Sequence, residues 1–324
     1  MKNILLLGNG INRAYDSHAI SWKNLLEKMT TVKDLPKHEN LPFPLEMVLR
    51  TDDHVDEVLT KYNRELYGTV DDEKLRFVLA KVLRMGFDEI LTTNYDYALE
   101  GTAIYPKIIT DARLKKSMKH TSEVARAENT YLLHTFQDVM FEDVSNRIWH
   151  IHGEARKPGT IVIGHYMYVN LVSKWREKFS VRADKYKTWD ESLRDAPSEC
   201  WLDSFVLGNV YILGLAMDFS ELDLWWLINR KKREKAEHGK VVFYEPERPE
   251  EATKYALLRA YGVEVKHLGF KIPERGDNES CDEELQIELE EQENKVNKFV
   301  AEVYEAFYMD ALADIEKEMS LVSG

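Results

Sequence analysis

The chain of 324 residues carries a formal net charge of -13, with 44% hydrophobic and 31% charged residues. This composition predicts a globular protein with a sizeable core, and the acidic balance argues against direct nucleic-acid binding, which depends on clustered Lys and Arg. The two cysteines, Cys200 and Cys281, fit neither a disulfide framework nor a zinc site of paired cysteines. With no secretory leader or membrane-spanning run in view, we expect a location in the cytoplasm, away from membranes.

Six short apolar runs predict the strands of one sheet. They lack strict alternation and are separated by stretches of helical character, which is typical of a parallel sheet covered on both faces. The runs are NILLLG at 3–8, EILTTN at 89–94, IWHIHG at 148–153, VYILGL at 210–215, VVFYEP at 241–246 and GVEVKHLGF at 262–270. We predict an α/β fold, a Rossmann-like doubly wound parallel sheet that binds ligands at the carboxyl ends of its strands.

Three segments exceed what a single crossover helix needs, and we expect helical insertions there, at about 20–85, 112–146 and 170–205. Residues 273–324 follow the main domain, 1–272, as an acidic linker and a long amphipathic C-terminal helix. That helix either packs on its own domain or forms an interface with another subunit or a partner. The sequence leaves both interpretations open.

The first strand runs into a glycine turn, which comprises Gly8, Asn9, Gly10, Ile11 and Asn12. Such a turn between a strand and a helix brings backbone N–H groups close to a phosphate, but it also occurs as a purely structural turn. The hydride-transfer fingerprint requires a third glycine where Arg13 stands. A nicotinamide-dependent dehydrogenase is therefore a poor fit.

Polar residues also follow the next two predicted strands. Asn94 and Asp96, in TTNYD, stand at the same edge as the glycine turn and suit ribose hydroxyls and an amide, although either can instead cap the next helix. His152 ends its strand and is a candidate general base, whereas a lone histidine is more often structural. We expect His150 on the same face of the strand, at a deeper position.

The fourth predicted strand, VYILGL, is followed by a turn and a helix. Asp218 lies in that turn, where an acidic residue is favoured by the helix dipole. We expect Ser220 to cap the helix, with Asp223 at its third position.

In order and wording these motifs resemble the sirtuin superfamily, in particular the divergent sirtuin-like domains of bacterial antiphage defence systems. The matching motifs are GNGIN for the glycine-rich NAD loop, SWKNLL after it, TTNYD for the T-x-N-x-D element, HG for the catalytic His-Gly pair and ILGLAMDFSELD for the late nucleotide turn. Spread between about 3 and 270, they cover most of the chain. The four-cysteine zinc module and the P-D-F-R element of deacetylating sirtuins are absent, which puts protein deacylation in doubt.

The resemblance implies roles for these residues in holding NAD. The glycine turn cradles the diphosphate and the nearby ribose, Asn94 holds the nicotinamide ribose and positions water, and His152 is the base. Tyr95 and Asp96 contact the carboxamide.

For the adenosine half, the resemblance places Gly214 and Asp218 nearby. Glu245 binds the adenine ribose 2′-hydroxyl and so disfavours the phosphate of NADP. No zinc or other metal is implied.

The resemblance further implies an NAD glycohydrolase that takes NAD as its substrate and depletes it during abortive infection. Because nicotinamide leaves NAD as a neutral amine, one Asn and one His suffice where ordinary glycosidases pair two carboxylates. Unchecked NAD loss would harm the host, so we expect gating by homo-oligomerisation or by a partner encoded nearby, an ATPase or a nucleotide sensor. A non-catalytic sensor of NAD or ADP-ribose and an NAD-dependent protein deacylase remain as alternatives.

Overall fold

Seven strands form one sheet in the computed structural model, which describes residues 1–16, 19, 21–33, 41–52, 54–62, 73–104, 137–185, 200–234, 238–272 and 283–322. In chain order the strands are β1 (Asn3–Leu7), β2 (Glu89–Thr92), β3 (Gln137–Phe141), β4 (Val144–His150), β5 (Asn209–Leu213), β6 (Val241–Tyr244) and β7 (Val263–Lys266). Across the sheet their order is β3-β4-β2-β1-β5-β6-β7. All neighbours pair in parallel except β3, which is antiparallel to β4.

The topology confirms the doubly wound prediction and all six predicted strands. The chain builds from β1 to β2 and β4, then returns to the other side of β1 to add β5, β6 and β7. The direction of building therefore reverses between β1 and β5. In open α/β sheets, ligands bind outside the carboxyl ends of the strands at this reversal point.

The central strand β1 shows why the apolar runs do not alternate. Ile4 and Leu6 belong to one hydrophobic cluster, and Leu5 and Leu7 belong to a second cluster; all four are buried. Because successive side chains point to opposite faces, both faces of β1 are covered. Each of these four positions is therefore apolar.

Helices cover both faces of the sheet. In chain order they are α1 (Gly10–Tyr15), α2 (Trp22–Met29), α3 (Phe43–Thr51), α4 (Val55–Tyr62), α5 (Glu73–Arg84), α6 (Ala98–Ile104), α7 (His165–Lys185), α8 (Trp201–Leu207), α9 (Leu222–Lys232), α10 (Ala252–Ala260) and α11 (Glu283–Val322). The first face, that of Ile4, is covered by α2, α3, α4, α7, α8, α9 and α10, and the second by α1, α5, α6 and α11. None of the described helices is long and apolar enough to span a membrane.

The three expected insertions have different outcomes. The described residues within 20–85 include four helices, α2 to α5. Residues 112–136 lie outside the described part, and 137–146 form β3 and the start of β4, so this segment is not helical there. As an edge strand, β3 buries only alternate residues such as Val139 and Phe141, too short an apolar pattern to be predicted. Within 170–205, α7 and α8 are described, and 186–199 are not.

The predicted C-terminal helix is confirmed as α11, and its second half packs on the second face of the sheet. Phe307, Leu312 and Ile315 are fully buried there. Tyr244 Oη donates to Asp314 Oδ2 over 2.8 Å, which ties α11 to the end of β6. The expected acidic linker at 273–282 and the side chains of 283–297 lie outside the described residues.

The turns after β1 and β5 meet through their backbones at the reversal point. The Gly8 N–H donates to the Leu213 carbonyl over 2.9 Å, and the Gly10 N–H donates to the Gly214 carbonyl over 2.7 Å. A Cβ on Gly8 would lie 2.5 Å from the Gly214 oxygen, and Gly214 itself has a φ of +69°. The close approach therefore requires glycine on both sides.

We expect Gly8→Ala to lower the free energy of unfolding by about 3 kcal/mol, because the added methyl group forces the two turns apart. Urea unfolding of wild type and variant measures this difference. The control is Gly101→Ala in α6, where no heavy atom lies near the added Cβ; it should leave stability unchanged or raise it slightly. Equal stability of Gly8→Ala and wild type would show that the contact is not constraining.

Candidate functional site

The ends of β1 and β2 are fixed against each other at the carboxyl edge of the sheet. Thr92 Oγ1 and the Thr93 N–H both donate to the Leu7 carbonyl, at 3.0 and 3.3 Å. Beyond the strands, Asn12 Nδ2 donates to Asp96 Oδ2 over 3.2 Å. The glycine turn and TTNYD thus come together at one edge, as the sequence predicts.

A small cavity, lined by both polar and apolar residues, lies at this edge. Its walls include Asn12, Asn94, Asp96, Glu100 and His150, and its volume of ≈ 10 Å³ leaves room for about one water. The side-chain oxygens of Asn12 and Asn94 are buried without a hydrogen-bond partner in the structure. Buried acceptors of this kind are costly unless a donor reaches them. The cavity is therefore suited to a ligand that brings N–H or O–H groups.

Asp96 both caps a helix and borders this cavity. Its Oδ1 accepts from the Ala98 N–H over 2.9 Å at the start of α6, while Oδ2 faces Asn12. Burial raises the pKa of the Asp96 carboxyl to about 6, against the opposing hydrogen bond from Ala98. The Asp96 side chain can therefore bond to the start of α6 and border the cavity at the same time.

His150 is a buried imidazole with an acceptor at each nitrogen. Nδ1 lies 2.8 Å from the Asn94 carbonyl oxygen, and Nε2 lies 2.8 Å from Glu100 Oε1. Both ring nitrogens can therefore donate only if the ring is protonated. Burial opposes that charge, but the Glu100 carboxylate outweighs it and raises the pKa of His150 to about 9. The imidazolium holds the Asn94 peptide in place.

His152 lies on the opposite side of the sheet from His150, so the expectation that they share a face is wrong. The strand ends at His150, and the turn that follows directs His152 towards α9, where Nε2 lies 2.7 Å from Asp223 Oδ2. The His152 ring packs edge-on against Tyr168 of α7, with 5.5 Å between centroids. Burial acts to lower the pKa of His152, but Asp223 outweighs it and the pKa is raised.

The glycine of the His-Gly pair allows the chain to fold back over His152. Gly153 has a φ of +96°, and a Cβ there would lie 2.3 Å from the Thr160 carbonyl oxygen. The returning chain bonds to His152, because the Val162 N–H donates to the His152 carbonyl over 2.8 Å. The imidazole is therefore held from both backbone and side chain.

Glu221 adds a second acidic group near His152. Burial raises the pKa of Glu221 to about 8, while His152 acts to lower it. The prediction that Ser220 caps α9 is wrong: Glu221 occupies the cap position, where its side chain makes no capping bond and instead accepts from the Asp218 N–H over 3.0 Å. The Ser220 N–H and hydroxyl both donate to Asp218 Oδ1. Because α9 begins one residue later than predicted, Asp223 is its second residue, and its side chain is directed inwards to His152.

The glycine turn does not present all of its N–H groups to a ligand. Those of Gly8 and Gly10 are bonded to the end of β5, so they do not serve the expected diphosphate cradle in this structure. Ile11 is fully buried in the second cluster, and Asn9 precedes α1. Asn12 is the turn residue whose side chain borders the cavity.

Other expected contact residues are bonded within the protein. Tyr95 Oη donates to the Val162 carbonyl over 2.8 Å. Glu245 Oε2 pairs with Lys254 Nζ over 2.8 Å and accepts from Tyr255 Oη over 3.0 Å. The side chains expected to reach the carboxamide and the adenine ribose therefore already have protein partners.

Sequence reasoning does not find the two carboxylates that partner the histidines. Glu100 reads as an ordinary helix residue and Asp223 as an acid in a first helical turn, and only the fold brings them to His150 and His152. In the described part of the chain, no three His, Cys, Asp or Glu side chains are grouped to hold a metal ion.

A family model described as a SIR2-like domain matches residues 88–266, more than half of the chain. The match runs from just before β2 to the end of β7 and includes Asn94, Asp96 and His152. It includes neither the glycine turn nor α11. No curated protein matches the chain.

We expect Glu100→Gln to lower the free energy of unfolding at pH 7 by about 3 kcal/mol, because it leaves the buried His150 without its counter-charge. The folded-state pKa of His150, about 9, exceeds the unfolded value of about 6.5. The stabilisation is therefore fully present below about pH 6.5 and is lost as the pH rises through about 9.

Urea unfolding of both proteins between about pH 6 and about pH 10 tests this, since the difference between them should shrink above the folded-state pKa. Glu142→Gln, on the surface beside Arg84, is the control and should change stability by less than about 1 kcal/mol. A difference that stays constant with pH would exclude His150 as the titrating partner.

Proposed function

Because this chain belongs to the SIR2-like domain family, we propose that it hydrolyses the N-glycosidic bond of NAD to nicotinamide and ADP-ribose. SIR2-like domains use NAD. The observation that carries the proposal is the pair of buried, unpartnered amide oxygens of Asn12 and Asn94 around a cavity beside Asp96. A cavity of this kind requires donor groups from its ligand.

NAD brings donors of the required kind, namely ribose hydroxyls and the carboxamide N–H₂. The amide oxygens of Asn12 and Asn94 accept from such groups, and Asp96 adds a carboxylate acceptor beside them. The cavity of ≈ 10 Å³ is too small for a nicotinamide ring. Productive binding therefore needs the side chains around it to move aside.

In the proposed reaction the nicotinamide group, which is cationic in NAD, leaves as a neutral molecule. The chain supplies positioning and a base. Asn94 orients a ribose hydroxyl or a water, and its peptide is fixed by His150. His152, which is not among the residues that line the cavity in this structure, takes up a proton as the general base once its ring is neutral and reaches the substrate. Asp223 holds the His152 ring in a fixed orientation through Nε2.

The bond between His152 and Asp223 supports a gated enzyme. Asp223 occupies Nε2 of the buried His152 ring, so that nitrogen is not presented to a substrate in this arrangement. We attribute gating to self-association or to a partner encoded nearby, and the resemblance to antiphage sirtuin-like domains supports a role as an NAD-depleting effector in abortive infection. Full NAD hydrolysis by the isolated chain, unchanged by partner or concentration, would contradict gating.

The same bond also suits a second function, a non-catalytic module that senses NAD or ADP-ribose. Such a module needs the cavity but no free base. Calorimetric binding without product formation, measured with the partner present, would favour it.

We expect His152→Ala to lower nicotinamide release by at least about 100-fold, because it removes the base. An etheno-NAD analogue, whose fluorescence rises on cleavage, reports the rate. His165→Ala, at the exposed start of α7, is the matched control and should retain full activity. Equal release by His152→Ala and wild type, under conditions in which the wild type releases nicotinamide, would contradict the hydrolase proposal.

We expect Asp223→Asn to shift the pH profile of kcat/KM to lower pH. Asp223 raises the pKa of His152, so the variant ring loses its proton at lower pH and the base becomes available there. A profile measured on the same NAD analogue checks this. An unshifted profile would mean that Asp223 only packs against His152.

A further inference from the structure

Arg248 is a partly buried arginine that follows the end of β6. Its Nε and Nη2 both donate to Tyr304 Oη, at 3.1 and 2.6 Å. Two carboxylates act on this charge without a hydrogen bond to it: Glu250 lies 3.9 Å from Nη1, beyond hydrogen-bond distance, and Glu245, which pairs with Lys254, also raises the pKa of Arg248. Among the described residues, the hydrogen-bond partner of the Arg248 guanidinium is thus a neutral phenol and not a carboxylate.

A row of side chains from α11 links Arg248 to the glycine turn. The rings of Tyr304 and Tyr308 lie 5.7 Å apart between centroids. Tyr308 Oη lies 2.8 Å from the point that a Cβ on Gly10 would occupy. Arg248 therefore stands at the same carboxyl edge as the reversal point, on the side of β6.

The groups that ordinarily serve the phosphates and the adenine ribose are engaged elsewhere at this edge. The N–H groups of Gly8 and Gly10 bond to the end of β5, and Glu245 pairs with Lys254. A dinucleotide bound in this crevice still needs hydrogen-bond donors or a positive charge to bind its phosphates. A guanidinium presents a planar set of donors that matches phosphate oxygens.

We propose that Arg248, oriented by Tyr304 of α11, binds a phosphate group of the dinucleotide. This inference rests on the proposed function, because it assumes that the crevice takes NAD or its relatives. The phosphate is either the diphosphate, which all these ligands share, or a 2′-phosphate on the adenosine ribose. Tyr304 is a positioning residue, since its hydroxyl accepts two of the guanidinium donors.

The part of α11 that carries these tyrosines is a fixed wall of the crevice. Phe307 and Ala311, in the turns around Tyr308, are fully buried in the second cluster, as are Leu312 and Ile315. Displacing this segment would expose all four apolar side chains to water, at a cost of several kcal/mol. Arg248 is therefore presented in a constant position, which reduces the ordering cost of binding.

The test is calorimetric binding of ADP-ribose and of its 2′-phosphorylated form to the full chain. Arg248→Gln should weaken binding at least about tenfold and flatten its dependence on salt between about 50 and 200 mM, because a phosphate contact is lost. Arg248→Lys, which keeps the charge but not the planar set of donors, should bind more weakly than wild type and more tightly than Arg248→Gln. Tyr304→Phe should raise the dissociation constant and leave the melting temperature nearly unchanged.

The control is Arg84→Gln, which removes the same charge where α5 meets Glu142 and should bind like wild type. Weaker binding of both ligands by Arg248→Gln assigns the diphosphate, and weaker binding of the 2′-phosphorylated ligand alone assigns the 2′-phosphate. Unchanged affinity for both overturns the inference. NAD hydrolysis is measured separately, so a chain that binds but does not hydrolyse refutes the proposed function alone.

Discussion

The backbone contact between the turns after β1 and β5 is the constraint on which the crevice depends. The Gly8 and Gly10 N–H groups donate to the carbonyls of Leu213 and Gly214, and the positive φ of Gly214 brings its carbonyl oxygen within reach. At the reversal point of the sheet, these backbone N–H groups are therefore already bonded within the protein. In Rossmann-like folds the backbone at this place often binds phosphate. Here, side chains around this backbone contact, such as Asn12, supply much of the polar chemistry.

Two buried histidine–carboxylate pairs lie on opposite sides of the sheet, His150 with Glu100 and His152 with Asp223. Each pair must overcome the desolvation of its charges, so neither is an efficient source of stability. Each does fix a position: the first holds the peptide of Asn94, and the second orients an imidazole in the His-Gly turn. Perturbed titratable groups concentrated at one strand edge are typical of functional sites.

The sequence predicts those features that depend on local pattern. Buried strands such as β1 carry apolar residues on both faces, and Gly and Asn mark where they end, so six strands and the shared edge of Asn12 and Asp96 can be read directly. The edge strand β3 has only alternate buried residues and gives no such signal. Glu100 and Asp223 could not be assigned, because their partners are set by which face each helix covers. Ser220 fits the capping pattern, but the helix begins one residue later and Glu221 takes the cap position.

The C-terminal helix shows that the core of this chain extends beyond the residues matched by the SIR2-like model. The match stops at 266, yet Phe307 and Ile315 fill the same cluster as Leu213 and Tyr244, so α11 covers a face that the matched strands would otherwise expose. A helix required for the core is a stable support for residues at the strand ends. Because it runs past both the glycine turn and the end of β6, side chains along it can shape ligand binding without altering the shared motifs. Differences in specificity among domains of this kind can therefore arise from the element that completes the core.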